Sequence, residues 1–432
     1  MRRAVITGTG VVSAFGIGRE AFWDGLRAGR SAIGPIRLFD VTTFPTRVAG
    51  EVPLPARVDP EWLAARLGVA CGRTALEHLT RRGGLRDRKL VLALLAAAEA
   101  WRHAGCGAAE QAAACCLAVG LEQGFLEDFA AIFDGQRLDW QREGAAGLPD
   151  VRFRAPVDLV AEGVRAVLGL SGRCTVHVSA CAAGAMAIAH GAALIERGLS
   201  EVVLCGATDS LLNPLALGGM SRIGAPSPRN AADACRPFDR RRDGLVIGEG
   251  AAIFVLEAEE RAATRGARAL ARIEGWGTSQ DGYRPTAPLP DGSAAARAIR
   301  QALTRGALEA GAIGYVNAHG TGTPLNDPAE ARALHAVFGE RTRSIPVSSI
   351  KGAVGHLMAA SGAIEIAACL LPFEHDTLPG TAHHLELDPE CELDVIGDQP
   401  RSARVDHVLS SSFGFGGQNA AVVLGRPSCA PR

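Results

Sequence analysis

The stretch TVHVSACAAGAMAIAHGAALIERG, residues 175–198, contains both kinds of element from which the chain is built. Its first part, TVHVSA, is a run of β-branched and apolar residues that predicts a buried strand. Its second part has helical length and carries small residues on several faces, which predicts a helix. Cys181 lies at the junction between them. Alternation of strand-like and helical stretches of this kind favours an α/β fold with buried, mostly parallel strands.

The same alternation continues in both directions along the chain. Strand-like runs separated by helical stretches include QAAACCLAVG (111–120), EVVLCGATDS (201–210) and AAIFVLEAEE (251–260). Near residue 268 the segment RALARIEGWGTS predicts a strand that leads into a glycine turn, as the N-terminal RRAVITG does before TGVVSAFG. The sequence therefore predicts an internally duplicated α/β fold, with one half over residues 1–260 and the other over residues 261–432.

Composition and charge exclude several classes of protein. The chain has 432 residues, of which 47% are apolar and 21% charged, as expected for a large globular core. The formal net charge of -1 gives no overall attraction to nucleic acid or to an anionic membrane. No apolar run approaches the roughly 20 residues that span a bilayer, and the first apolar run breaks at Gly8, too early for a secretory signal. We therefore expect a cytoplasmic protein.

The cysteines and glycines do not predict a metal site, a disulfide framework or a dinucleotide site. The cysteine count of 11 is odd, Cys115 and Cys116 are adjacent, and no CxxC pair occurs. In TGTGVVSAFG, Ser13 occupies the third glycine position of a dinucleotide fingerprint, and no acidic residue closes a following strand at the expected distance. We therefore expect neither a metal nor a redox cofactor.

Cys181 is the strongest single candidate for a catalytic residue. Its position predicts a sulfur at or near a helix N-terminus, where unpaired N–H groups and the positive end of the helix dipole favour a thiolate. A backbone N–H of the same turn could receive the oxyanion of a thioester. The flanking Ala180, Ala182 and Gly184 leave room for a substrate. The alternative is a buried structural cysteine at a tight turn.

Two histidines and a lysine lie in turns rich in small residues. His319 follows a strand, at the edge where α/β folds place ligands, and His356 lies among glycine and alanine without a local polar partner. Arginine supplies nearly all the positive charge, so Lys351 is unusual in this chain. Each histidine alone could be a hydrogen-bonded core residue, but a thiol with imidazole donors forms a coherent acyl-transfer site.

Other polar residues are interpreted more simply. We expect the second lysine, Lys89, to be on the surface, and His375, His383 and His384 to face solvent in a polar connecting segment. The glycine-rich FGFGGQN (413–419) lacks the Lys-Ser/Thr of a phosphate loop, and predicts a backbone that approaches a substrate closely.

Five motifs taken together resemble those of the β-ketoacyl-acyl-carrier-protein synthases. They occur in the order found in that family, span nearly the whole chain, and are similar to the Cys-His-His type of the elongating synthases I and II and the polyketide ketosynthases. The motifs are VSACAAG (178–184), RPFDRRRDGLVIGEGAAIFVLE (236–257), NAHGTGTPLND (317–327), KGAVGHLMAASG (351–362) and SSFGFGGQN (411–419).

The resemblance implies a five-layered αβαβα thiolase-like fold made of two similar halves. The N-terminal half would carry the cysteine, and the C-terminal half the two histidines and the lysine. It implies that Cys181 takes an acyl chain from an acyl carrier protein, with the N–H groups of Cys181 and Phe415 as oxyanion hole. His319 and His356 would hold the malonyl thioester oxygen while carbon dioxide is lost. The phosphopantetheine arm would come from the carrier, so no separate cofactor is implied.

Supporting roles follow from the same resemblance. Lys351 matches a lysine that hydrogen-bonds near the histidine pair, and Glu330 matches a buried acid that orients it. Phe415 matches a gating phenylalanine, supported by Gly416 and Gly417.

Departures from the family pattern concern the substrate. Gln418 replaces a usual threonine, and Glu122 and Gln123 stand near the expected acyl pocket, which suggests a shorter or more polar pocket typical of polyketide enzymes. Arg222 and Arg229 are candidates for docking an acidic carrier protein.

The assembly is predicted only by the resemblance. It implies a homodimer, with a heterodimer that includes a chain-length-factor-like subunit as the other possibility. The alternative function is such a non-catalytic partner subunit, which typically lacks the cysteine.

Overall fold

The computed structural model describes residues 2–68, 72–120 and 157–427, together with the backbone of residues 133–134 and 137–138. The strands are β1 (Ala4–Ser13), β2 (Gly16–Ile17), β3 (Gly34–Pro35), β4 (Val48–Ala49), β5 (Ala114–Val119), β6 (Phe133–Asp134), β7 (Arg137–Leu138), β8 (Cys174–His177), β9 (Val202–Ser210), β10 (Glu249–Ala258), β11 (Ala271–Gln280), β12 (Tyr315–Asn317), β13 (Pro346–Ser348), β14 (Thr377–Leu378), β15 (Asp394–Val395), β16 (Arg401–Ser402), β17 (His407–Gly414) and β18 (Gln418–Gly425).

The α-helices of the same residues lie between these strands. They are α1 (Arg19–Arg27), α2 (Pro60–Leu67), α3 (Arg73–Arg81), α4 (Arg88–His103), α5 (Leu159–Leu168), α6 (Ala183–Glu196), α7 (Pro214–Arg222), α8 (Glu259–Thr264), α9 (Ser293–Arg305), α10 (Asn326–Phe338), α11 (Lys351–Val354), α12 (Ser361–Ala368) and α13 (Leu371–His375). Short 3₁₀ turns at Ala180–Ala182, Met358–Ala360 and Phe415–Gly417 adjoin the site described below.

One continuous sheet contains two copies of the same strand arrangement. Its order is β15-β13-β12-β17-β18-β11-β1-β10-β9-β5-β8. From β1 outward the order β1-β10-β9-β5-β8 has two antiparallel and then two parallel pairings. From β11 outward the order β11-β18-β17-β12-β13 has the same pairings. In each copy the strands follow the chain order first, fifth, fourth, second, third. The predicted internal duplication is confirmed.

Helices cover both faces of this sheet and lie between its two halves. Helix α4 packs on β1, β9 and β10, while α9 packs on β11 and β18. Helices α6 and α12 pack against each other and contact strands of both halves. Alternate residues of β10 accordingly enter different cores: Ile253 and Val255 lie with α4, whereas Phe254 and Leu256 lie with α6. The layers are α, β, α, β, α, as the predicted thiolase-like fold requires.

The two central helices approach each other at their N-terminal ends because those ends carry glycine. A Cβ at Gly184 of α6 would lie 2.7 Å from the backbone nitrogen of Ala363, and one at Gly362 of α12 would lie 2.7 Å from that of Ala185. The small residues at the start of α6 therefore allow the two helices to pack closely on each other. This contact brings the segments that precede both helices to one place.

The glycines after the first strand of each half do not form the predicted turns. β1 continues through Gly8 and Gly10, and β11 continues through Gly275 and Gly277. A Cβ at Gly8 or Gly10 would lie 2.3 or 2.0 Å from a carbonyl oxygen of α4. A Cβ at Gly275 or Gly277 would lie 2.1 or 2.2 Å from a carbonyl oxygen of α9. These glycines allow the outer helices to touch the strands.

Two predictions of exposure are corrected by the structure. Lys89 is buried at the first turn of α4 rather than on the surface, and its carbonyl accepts the hydroxyl of Thr208. His375 is exposed as predicted, but His383 and His384 are half-buried, and His384 Nδ1 lies 3.1 Å from the carbonyl oxygen of Pro237. In the described part of the chain, every helix is too short or too polar to cross a membrane.

Candidate active site

Cys181 lies in the 3₁₀ turn between β8 and α6, and only Val178 and Ser179 separate this turn from the strand. Ala180 has φ of +46°, an uncommon left-handed conformation that turns the chain at this point. A Cβ at Gly414 would lie 2.9 Å from the backbone nitrogen of Cys181, so only glycine fits beside the cysteine. The predicted strand–helix junction is thus fixed from both sides, and Cys181 is only 5% exposed.

The sulfur is held as a thiol in the resting site. Burial raises the pKa of Cys181 to about 12, although the nearby charge of Lys351 and a hydrogen bond from the Phe415 N–H oppose this rise. The expectation that a helix N-terminus would favour a thiolate is therefore wrong for the resting site, because desolvation outweighs it. The Phe415 N–H thus lies near enough to the sulfur to lower the pKa of Cys181.

The two predicted histidines converge on the sulfur from the other half of the chain. His319 follows β12, and His356 lies between α11 and α12. The Cys181 sulfur and one ring nitrogen of each histidine all lie within 4.8 Å of one another. The two imidazole rings are 5.2 Å apart, centroid to centroid, at an interplanar angle of 84°.

The backbone of His356 is held by the central motif. Its N–H donates to the carbonyl of Val246 at 2.7 Å, and its own carbonyl accepts the N–H of Gly248 at 2.8 Å. The stretch 236–257, which the sequence linked to the site only through resemblance, thus positions one of the two histidines.

Hydrogen bonds at Nδ1 determine which nitrogen of each ring carries the proton. The Met358 N–H donates to Nδ1 of His356 at 3.2 Å, and the Lys351 ammonium lies 3.1 Å from Nδ1 of His319. The Ser361 hydroxyl, 2.7 Å from Nδ1 of His356, is a local polar partner that the sequence did not reveal. Because the Met358 N–H and the Lys351 ammonium can only donate, Nδ1 is the acceptor in both rings, the Ser361 hydroxyl donates as well, and Nε2–H faces the cavity. Burial, reinforced by the charge of Lys351, lowers the pKa of each histidine well below its usual 6.5. Both rings are therefore neutral hydrogen-bond donors at neutral pH.

This tautomer does not fit a metal ion. A sulfur and two imidazoles within 4.8 Å are the ligand types that Zn²⁺ prefers. A ligating histidine must present an unprotonated nitrogen and usually donates its other N–H to an acceptor. Here the outer nitrogens of His319 and His356 both face donors. The arrangement favours donation to an oxygen over metal coordination.

Lys351 is bound to a different carboxylate from the one that the sequence suggested. Its ammonium donates to Glu365 and to the carbonyl of His319, in addition to its contact with the His319 ring. Glu330 instead accepts the N–H groups of His319 at 2.8 Å and Gly320 at 2.7 Å. Glu330 therefore holds the backbone of the His319 turn, and Glu365 on α12 holds the lysine.

Sequence reasoning missed Glu365, although a signal was present. It is the lone acidic residue in the apolar run SGAIEIAACLL, 361–371. A carboxylate in such a run is rarely buried without a partner. Burial raises the pKa of Glu365, and Lys351 opposes the rise.

A cavity of about 450 Å³ leads from the sulfur to the surface. Its inner wall contains Cys181, both histidines and Phe413, and its rim includes Phe415, which is 36% exposed. Gln418 is not among the lining residues, whereas the adjacent Asn419 is. Glu122 and Gln123 lie outside the described residues.

Two loops at the mouth of this cavity are tied together. We call residues 281–292 the mouth loop and residues 414–418 the gate loop. The Gly416 N–H donates to the carbonyl of Pro285 at 2.6 Å. Asp281 accepts the Asn419 side-chain N–H at 2.7 Å and the Leu289 N–H at 2.8 Å. A Cβ at Gly417 would lie 2.7 Å from that of Asp281, which explains why this part of the gate loop is glycine.

The two candidate docking arginines differ in their surroundings. Arg222 ends α7 between two cavity-lining residues, Met220 and Ile223, and is exposed. Arg229 is also exposed, but its guanidinium lies 3.4 Å from Asp233. Of the two, Arg222 is the one next to the mouth.

The fold and the site together define a class of enzyme. A buried thiol that faces two neutral imidazole donors, at the meeting point of two thiolase-like halves, is suited to acyl transfer followed by stabilisation of an enolate. The protein is a decarboxylating condensing acyltransferase.

Comparisons with known proteins agree with this class. The family model for the beta-ketoacyl synthase N-terminal domain matches residues 1–262, and the one for the C-terminal domain matches residues 270–385. The chain belongs to the beta-ketoacyl synthase family. It is 37% identical to the tetracenomycin polyketide synthase ketoacyl synthase alpha subunit of Streptomyces glaucescens, over 99% of this chain and 97% of that one. It is 36% identical to the 3-oxoacyl-[acyl-carrier-protein] synthase 2 of a Synechocystis strain, over 98% of each.

Solved structures show the same likeness over the full length. The ishigamide ketosynthase/chain length factor superposes with a TM-score of 0.84 at 33% identity, covering 99% of this chain and 100% of that one. A type II polyketide-synthase acyl-carrier protein in complex with its ketosynthase, bound to the hexaketide, includes a chain that matches with a TM-score of 0.84 at 28% identity and the same coverage.

Proposed function

We propose that this chain joins an acyl group carried on Cys181 to a malonyl group carried on an acyl carrier protein, in polyketide or fatty-acid synthesis. The observation that carries the proposal is the convergence of the Cys181 sulfur with His319 and His356 within 4.8 Å. A nucleophile and two charge-stabilising donors must lie this close if both act on one pair of substrates.

The first half-reaction loads the cysteine. The Cys181 sulfur attacks the acyl thioester, its proton passes to the departing carrier thiol, and the acyl group becomes a thioester on the enzyme. The N–H groups of Cys181 and Phe415 are the proposed donors to the carbonyl oxygen, and the proximity of the Phe415 N–H to the sulfur, which lowers the pKa of Cys181, supports this role.

The second half-reaction uses the two histidines. The Nε2–H groups of His319 and His356 hold the malonyl thioester oxygen while the C–C bond to the carboxylate breaks and carbon dioxide leaves. The resulting enolate attacks the acyl-Cys181 carbonyl, and the C–S bond breaks to return the sulfur as a thiolate, which takes a proton from water to restore the resting thiol. Neutral donors suit this step because they stabilise negative charge without protonating the carbon nucleophile.

The partners and the assembly are part of the proposal. The carrier protein supplies the phosphopantetheine arm, so no separate cofactor is required. A homodimer is the expected assembly. Pairing with a chain-length-factor-like subunit is the other possibility, supported by the likeness to the ishigamide ketosynthase/chain length factor. The presence of Cys181 and both histidines disfavours a purely non-catalytic role for this chain.

The chain is proposed to divide into two halves, residues 1–260 and 261–432. The repeated strand arrangement supports this division, since its first copy ends with β10 at Ala258 and its second begins with β11 at Ala271. The first half would then contribute the nucleophile Cys181, and the second half the two histidines that stabilise the enolate.

The test separates the two half-reactions. Malonyl-carrier decarboxylation and full condensation are measured for the wild type, Cys181→Ala and His319→Ala, with Cys205→Ala as control because Cys205 is buried in β9 away from the cavity. Cys181→Ala should lose condensation and retain decarboxylation, whereas His319→Ala should lose both. Condensation that persists in Cys181→Ala would refute the assignment of the nucleophile.

A further inference from the structure

The wall of the catalytic cavity changes in chemistry from its inner end to its mouth. His319 and Thr321 are buried, Thr323 is half-buried, and Leu325 is 62% exposed, so this segment runs outward along the wall. The Thr321 and Thr323 hydroxyl oxygens lie 2.8 Å apart in the middle of the segment. The order from inside to outside is a thiol with imidazoles, then hydroxyl groups, then the surface.

Arg284 is the cation at the outer end. It lies on the mouth loop, lines the catalytic cavity, is exposed, and also lines a second cavity of about 280 Å³. The two cavities share further residues, including Pro288 and Leu325, so together they form a continuous groove.

The guanidinium of Arg284 has no carboxylate partner among the described residues. It lies over the ring of Tyr283, with Cζ 5.2 Å from the ring centroid. The other arginine of the groove, Arg332, donates to the carbonyl of Pro290 at 2.7 Å and lies 3.7 Å from Glu390. Among the described residues of the groove, Arg284 is therefore the arginine without a carboxylate partner, whereas Arg332 has one in Glu390.

The position of Arg284 is fixed by the loops described above. The adjacent Pro285 accepts the Gly416 N–H, and Asp281 binds the Leu289 N–H within the mouth loop. The backbone that carries the arginine is thus held near the gate.

We propose that Arg284 binds the phosphate of the 4′-phosphopantetheine arm. The inference rests on the proposed function, which requires that arm to deliver its thioester to Cys181. The arm has a thiol end, two amides and a phosphodiester, in that order. The cavity wall carries buried Cys181, then the hydroxyl groups of buried Thr321 and half-buried Thr323, and exposed Arg284 at its mouth. Guanidinium groups bind phosphate oxygens through paired, charge-assisted hydrogen bonds.

The test measures equilibrium binding, so that it is independent of turnover. Phosphopantetheine and pantetheine, which differ only in the phosphate, are titrated into the wild type, Arg284→Gln and Arg284→Lys. In the wild type the phosphate should lower Kd by about tenfold, as expected for one solvent-exposed charged contact. Arg284→Gln should lose this advantage and Arg284→Lys should keep part of it. An equal phosphate advantage in the wild type and Arg284→Gln would overturn the proposal.

A control variant and two further ligands complete the experiment. Arg404→Gln removes an exposed arginine just before β17, at the opposite end of that strand from the gate loop, and should behave as the wild type. Coenzyme A and the holo carrier protein both carry the phosphopantetheine group, and tighter binding of the carrier would identify it as the source. If Arg284→Gln weakened only the carrier, the arginine would dock the protein surface and the proposal would be wrong. Failure of the proposed function would appear instead as absent condensation with intact binding.

Discussion

Replacing Lys351 with methionine should separate the structural role of this lysine from its effect on catalysis. The ammonium is fully buried and donates to Glu365, to the His319 carbonyl and towards the His319 ring. In Lys351→Met, Glu365 would keep only the Ser412 hydroxyl, at 3.3 Å, as a described partner. Breaking a buried pair by removing one partner costs about 3–5 kcal/mol, a large part of the stability of an ordinary domain.

The catalytic loss should have a different origin. Without the lysine, Nδ1 of His319 has lost its donor, so the proton is free to occupy Nδ1 and leave Nε2 without one. Loss of one donor to a developing oxyanion typically lowers kcat by about 10²–10³. We therefore expect malonyl decarboxylation by Lys351→Met to fall by about a hundredfold.

A second variant distinguishes these effects. Lys351→Met combined with Glu365→Leu removes the stranded carboxylate as well, and should recover stability to within about 1–2 kcal/mol of the wild type, because an apolar pair of similar volume replaces the ion pair. Its kcat should remain low. Urea unfolding and decarboxylation rates are measured for all three proteins. A loss of less than about 1 kcal/mol in Lys351→Met, or wild-type kcat in the double variant, would refute these two roles of the lysine.

Three further changes test other parts of the structure. Burial raises the pKa of Glu330 from 4.5 to about 6, so its contribution to stability is present below pH 4.5 and is lost as the pH rises through 6. The wild type should therefore lose about 2 kcal/mol of unfolding free energy over this pH range. In Glu330→Gln a plot of unfolding free energy against pH should not show this decrease. Gly362→Ala places a Cβ 2.7 Å from the Ala185 nitrogen, so it should lower the free energy of unfolding by about 1–3 kcal/mol and also lower kcat. In Gly219→Ala the added Cβ has nothing within 4 Å, so this control should change neither quantity in the same unfolding and rate assays. Asp281→Ala removes the carboxylate that binds Asn419, the residue after the gate loop, and Leu289 of the mouth loop. It should raise KM for the malonyl donor by about tenfold in steady-state kinetics. An unchanged KM would show that these hydrogen bonds do not shape the mouth of the cavity.

The fold was predictable from the sequence in its class and its duplication, but not in the extent of its first strands. Apolar runs that alternate with helical stretches indicate strands covered by helices, and two similar series indicate two halves. The expectation of mostly parallel strands was wrong, because each half has two antiparallel pairings before its two parallel ones. Gly8, Gly10, Gly275 and Gly277 predict turns locally, yet lie inside strands because helices distant in sequence pack on them. Close approach of this kind is a tertiary effect without a local signal.

The convergence of the four residues proposed to act at the site was predictable. Cys181, His319, His356 and Lys351 occur in turns of small residues, and the structure brings all four together. The environment was harder to predict. Whether a sulfur is a thiol or a thiolate depends on its desolvation, and burial of Cys181 outweighs the neighbouring charge.

The partner of Lys351 was also misassigned, for a physical reason. Glu330 and Glu365 are both buried acids near the histidine turn, and only the three-dimensional arrangement decides which one reaches the ammonium. The unusual position of Glu365 in an apolar helix was a usable signal. For Glu330 the sequence indicated burial but not that its partners are backbone N–H groups.

Trapping the acyl intermediate tests the central claim most directly. The wild type is incubated with an acyl-carrier protein in the absence of malonyl donor, digested, and analysed by mass spectrometry. We expect the mass of the acyl group on the peptide that contains Cys181, absent from Cys181→Ala and removed when malonyl-carrier protein is added. An acyl group on any other cysteine, or one on Cys181 that malonyl-carrier protein does not discharge, would contradict the assignment of Cys181 as the condensing nucleophile.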